Sequence, residues 1–96
     1  MIINFNNKDA KKEYNKLIRR MNYIHRQRVV RLMKEAEEQL ISQIRACPLE
    51  PGDFHQNAVI VGCDETDYAI TLIARKCDSC SIVHIEVLKV EQFILN

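Results

Sequence analysis

Residues 15–34 read NKLIRRMNYIHRQRVVRLMK, and whether this run is one helix or two decides how the rest of the chain folds. With successive residues placed about 100° apart, Ala10, Tyr14, Leu17, Ile18, Met21 and Ile24 share one face, and Lys12, Lys16, Arg19 and Arg26 share the opposite one. Further along, Val29, Leu32, Met33, Ala36, Leu40, Ile44 and Cys47 form a second apolar stripe, rotated by about 100° from the first. The phase slips near His25 to Arg28. Either the helix breaks there into a hairpin, or it continues and its apolar face winds around it, as in an eleven-residue repeat. No Gly, Pro or Asp marks a loop, so propensity favours continuity.

Outward from this stretch, the helical pattern covers residues 8–46, behind a cap at Asn6 or Asn7. The preceding MIINF, residues 1–5, alternates like a short strand. An unbroken helix of this length would run ~58 Å, past the end of any three-stranded sheet. MIINF could then reach only a partner's sheet, and Tyr14, Leu17, Met21 and Ile24 would need a second chain for cover. The unbroken version therefore demands a homodimer with those four residues at its interface. A broken helix keeps everything within one molecule.

Both prolines and one of the two glycines fall in CPLEPGD, residues 47–53, which is the main punctuation of the chain. Beyond it the β-branched runs NAVIVGC, YAITLIAR and SIVHIEVLKV lie between polar turns, as strands do. Residues 57–90 are expected to form a three-stranded antiparallel meander. With a turn at Asp78 and Ser79, Ile70 faces Val87, Leu72 faces Ile85 and Ala74 faces Val83; with Cys63 opposite Tyr68, Val59 and Val61 join the same apolar face. Beyond Val90 the alternation fails. The whole is a single α+β domain, a long N-terminal helix, whole or broken, packed on a small sheet.

The near-neutral net charge of +1 conceals a division. Through Lys34 the chain carries ten basic residues against two acidic ones, a net +8; from Glu35 onward it carries four against eleven, a net −7. Such polarity points to two separate surfaces, one of them for an anionic target. It equally allows the halves to attract each other.

The sharpest local motif is Cys77-Asp78-Ser79-Cys80, two thiols across a tight turn, which is how half of a tetrahedral zinc site is presented. Cys63 belongs at the far end of the central strand, roughly 30 Å away at ~3.3 Å per residue. Cys47 and His55 bracket the loop entering the first strand, at the same end as the motif. A structural zinc on Cys47, His55, Cys77 and Cys80 is thus geometrically allowed, against the plainer reading of buried or idle thiols. No other cofactor is implied.

A phosphate-binding Gly-rich loop, a nucleophile elbow and a helical His-Glu-x-x-His are all absent, and His25, His55 and His84 lie on three different elements. The chain is not expected to be an enzyme. It begins with no basic region followed by a long apolar run, and its longest uncharged stretch is too short to span a bilayer, so a cytoplasmic protein that does not enter membranes is expected.

A charge run on a helix is usually only its solvated face, yet natural helices mix signs to make i,i+4 pairs. Here the only acids in residues 8–34 are Asp9 and Glu13. Most of these cations lack a partner on their own helix. Lys12, Lys16, Arg19, Arg20, Arg26, Arg28, Arg31 and Lys34 are therefore expected to bind nucleic acid, DNA or RNA, in a protein that works as a homodimer, with Asn22, Tyr23 and Gln27 beside them for sugar or base contacts. The alternative is a regulator or inhibitor that docks this basic helix on an acidic protein surface.

Overall fold

The computed structural model describes residues 3–76 and 82–93. Two helices, α1 (Lys8–Arg19) and α2 (Tyr23–Ala46), are followed by strands β1 (Phe54–Cys63), β2 (Thr66–Lys76) and β3 (Val83–Phe93). The strands form one antiparallel sheet in the order β1-β2-β3, with both helices on the same face.

The helical run is broken, and the break lies at Arg20–Asn22, upstream of the expected slip at His25 to Arg28. Its cause is Asn22, whose side-chain oxygen accepts from the His25 N–H at 2.9 Å and so caps α2. On the other side, the Arg20 and Met21 N–H groups donate to the Leu17 and Ile18 carbonyls, and Arg26 Nε donates to the Ile18 carbonyl at 2.9 Å. The end of α1 and the start of α2 are thereby satisfied without Gly or Pro. Once the helix is broken, both apolar stripes can face one sheet.

The core follows from that. Ala10, Tyr14 and Leu17 of α1, Met21 at the joint, and Val29, Met33, Ala36 and Leu40 of α2 are all buried against Val59, Val61, Ile70, Leu72, Ala74 and Val87. Met33, Leu40 and Ile70 are wholly inaccessible. Of the four residues expected at a dimer interface, Tyr14, Leu17 and Met21 are covered within the one chain, and Ile24 is 76% exposed on the outside of α2. That interface is corrected: the stripe which needed a second chain is already buried.

Of MIINF, the described residues 3–5 hold an isolated bridge rather than a strand. Asn6 donates to the Val87 carbonyl at 2.9 Å and Val87 donates to the Asn4 carbonyl at 2.8 Å, an isolated parallel bridge onto this chain's own β3. Asn7 then caps α1 by accepting from Ala10 at 2.8 Å.

Register differs from expectation by two residues in β1–β2 and in the first half of β3, where every face is kept; past a bulge in β3 the offset is three, which brings Val90 opposite Ile70 on the helix-covered face. Val61 pairs with Tyr68, Leu72 with Val87, and Ala74 with Ile85. The β1–β2 connection is shorter than the four-residue turn expected, because Asp64 and Glu65 both adopt left-handed backbone, φ 51° and 63°, and Cys63 pairs with Thr66. In β3, Leu72 pairs with Val87 and Thr71 with Lys89, so Leu88 is the extra residue of a bulge. The bulge breaks the alternation at Leu88, upstream of the failure expected beyond Val90.

Candidate nucleic-acid interface

On α1, Lys8, Lys12, Lys16 and Arg19 stand opposite the buried Ala10, Tyr14 and Leu17, so helical spacing alone turns them away from the sheet. On α2, Arg31 and Lys34 stand opposite Val29, Met33 and Leu40. Arg28 lies on the flank of α2, over the edge of β1.

The eight cations of the expected site divide by what they touch. Arg20 is turned toward the sheet: its Nη2 and Nε donate to Asp64 Oδ2 at 2.8 and 3.1 Å, and its Nη1 donates to the Tyr68 hydroxyl at 2.8 Å. Its guanidinium lies 5.7 Å from the Tyr68 ring centroid. Hydrogen bonds to Tyr68 and then Asp64 hold its charge still more firmly than usual. Arg26 is spent on the Ile18 carbonyl, and Lys16 lies 3.5 Å from Glu13. Arg20 and Arg26, though exposed, thus each hold a contact within the chain at the helix joint.

Lys12, Arg19, Arg28, Arg31 and Lys34 are exposed and make neither an ion pair nor a side-chain hydrogen bond among the described residues. They form the unspent part of the basic surface. Lys8 and Lys11 extend it at the start of α1, and both were legible as cations without a partner. Of the three polar neighbours, Asn22 is occupied as a cap, while Gln27 is exposed and Tyr23 is 74% exposed on the first turn of α2.

Among the described residues, titratable groups elsewhere do not gather into a metal-binding cluster. Cys63 is buried in its own chain, and burial together with Asp64 pushes its thiol upward, away from a reactive thiolate. At the other end of the sheet, His55 Nε2 lies 3.5 Å from the Cys47 carbonyl oxygen, a backbone contact rather than a meeting of imidazole and thiol. Cys77 and Cys80 lie outside the described residues. Among the described residues no group of three or more His, Cys, Asp or Glu side chains could hold a metal ion, and no helix is long and apolar enough to cross a membrane.

Comparison with protein-family models, curated proteins and solved structures finds no match to this chain.

Proposed function

We propose that this chain is a small, non-catalytic, cytoplasmic nucleic-acid-binding protein that uses the outer surface of its two helices. The observation carrying this reading is that Lys12, Arg19, Arg31 and Lys34, with Arg28 at the flank, face outward from both helices without an ion-pair partner among the described residues. Like charges so arranged repel one another, and a polyanion relieves that repulsion while releasing its condensed counterions. Tyr23 at the start of α2 adds an aromatic face on which a base can stack.

The test is binding to generic duplex and single-stranded probes across a salt series. Log affinity should fall linearly with log salt, with a slope of about −0.9 per neutralised phosphate on duplex DNA or about −0.7 on a single strand. Negligible affinity at low salt would retire the reading.

A second reading is favoured by Ile24, an aliphatic residue 76% exposed beside Tyr23, Arg28 and Arg31. Tyrosine and arginine around an exposed aliphatic side chain are the composition of a protein-binding hot spot. In that case the partner is an acidic protein surface, and Ile24→Asp abolishes its binding while changing nucleic-acid affinity little.

A further inference from the structure

The two edges of the sheet are unlike each other. Along β3, Glu86, Lys89 and Glu91 place charges, Leu88 places a bulge, and Asn4 and Asn6 hydrogen-bond to Val87. These are the devices by which proteins blunt an edge strand. Along β1, FHQNAVIVGC holds no Lys, Arg, Asp, Glu or Pro, and its pairing with β2 runs from Phe54 to Cys63 without a bulge. Among the described residues no strand pairs with the outer side of this ten-residue, uncharged, regular edge.

A cleft of about 270 Å³ runs beside this edge, walled by Arg28, Val29 and Leu32 of α2 on one side and by Ile60 and Gly62 of β1 on the other. Gly62 is not demanded by the fold. A Cβ there would meet only Asp67 Oδ1 at 3.5 Å, an ordinary contact, and its φ is not in the left-handed region. Glycine inside a strand weakens it, and here it leaves the exposed face of the edge strand without a side chain between Ile60 and Asp64.

We infer that the edge of β1, beneath α2, accepts an extended peptide of a partner protein as a fourth strand, one whose α2-facing side chains alternate acidic and apolar. A second copy of this chain is the poorer occupant. Because α2 lies over β1, with Asn57 Nδ2 donating to the Ala36 carbonyl at 3.3 Å, pairing two β1 strands about 4.8 Å apart would bring two α2 helices far closer than the roughly 8–10 Å that helix packing needs. A single strand brings no helix. Its backbone hydrogen bonds supply affinity, and alternate side chains supply specificity. Val29 and Leu32, which line the cleft, receive the apolar side chain; Ile60 lies on the strand's other face, away from the helix-covered Val59 and Val61. Arg28, which has no ion-pair partner among the described residues, receives the carboxylate.

The probe is a pool of acetylated heptapeptides with threonine at even positions and glutamate, valine or phenylalanine at odd ones, titrated into isotopically labelled protein. Saturable amide shifts confined to residues 54–63 and 25–32 are expected. Arg28→Ala should weaken binding roughly tenfold, and N-methylation of the peptide's strand-facing amides should abolish it. Arg19→Ala should leave it unchanged while weakening nucleic-acid binding, so failure of either reading shows separately. Absence of binding at about 1 mM probe, or binding indifferent to N-methylation, overturns the inference. So does a doubled mass whose β1 amides become protected with rising protein concentration and which Ala58→Lys returns to monomer, since the occupant is then a second copy.

Discussion

Arg20 Nη2 stands 2.8 Å from Asp64 Oδ2, fastening the joint between the helices to the β1–β2 turn across 44 positions of sequence. Its neighbour Arg19 points the other way, into solvent. Adjacent arginines therefore have opposite roles. Arg19→Ala should weaken nucleic-acid binding for all sequences alike and flatten the salt slope by about one unit, leaving thermal stability intact. Arg20→Ala should lower the melting temperature and leave that slope where it was. Equal effects of the two on the slope would mean that Arg20 leaves Asp64 to meet the ligand.

The turn that Arg20 grips is strained. Asp64 and Glu65 both hold positive φ, which costs an L-residue roughly 1–2 kcal/mol, whereas Gly adopts it freely. Glu65→Gly should stabilise the protein by up to about 1 kcal/mol after the added flexibility of the unfolded chain is subtracted. Asp64→Gly should stabilise less, since it also removes the Arg20 partner. Urea denaturation of the two variants side by side checks this.

Asn22 caps α2 and thereby sets the helix break. Its replacement by Ala should cost about 1 kcal/mol in chemical denaturation and should fray residues 20–25 in hydrogen exchange. Ala substitution at Met33, with no accessible surface, should cost about 2–5 kcal/mol, because it leaves a cavity between α2 and the sheet.

Burial pushes both the Cys63 thiol and the Tyr14 phenol upward from their ordinary values. In each case the folded state keeps its proton to higher pH than the unfolded state does. The stability they contribute is therefore fully present below the ordinary thiol range and is lost as pH rises through it toward the phenol range. Unfolding free energy should decline on going alkaline, and Cys63→Ala should lessen that decline. A flat profile through the alkaline range would contradict the burial of both groups.

The α+β architecture and the buried set were legible in the sequence because they rest on periodicity. Tyr14, Leu17, Met33, Leu40, Ile70 and Leu72 announce themselves by spacing alone, and the two-residue register difference upstream of the bulge leaves every face unchanged; only beyond Leu88 does the shift become odd and turn β3 over. What was not legible depends on contacts made at a distance. Asn22 reads as an ordinary polar residue until its side chain is seen taking the His25 N–H. Arg20 and Arg19 are indistinguishable by charge and separate only when the fold brings Asp64 and Tyr68 beside one of them. Ile24 continues the first stripe on a helical wheel, but the break at Asn22 turns it outward.

The bulge at Leu88 also bears on how the chain tolerates changes of length. Within β3, Leu72 is matched by Val87 and Thr71 by Lys89, so the strand carries one residue more than its partner requires. A single-codon deletion at Leu88 would leave Ile85 and Val87 on the helix-covered face upstream and Val90 on that same face downstream, sacrificing only the Leu88 carbonyl that accepts from Asn7 Nδ2 at 3.1 Å. Loss of Val87 would be absorbed in the same way, with Leu88 moving up opposite Leu72. Deleting any residue from Ile70 to Ala74 of β2 would instead throw everything on one side of the lesion onto the opposite face. The third strand thus holds a spare position, and the second holds none.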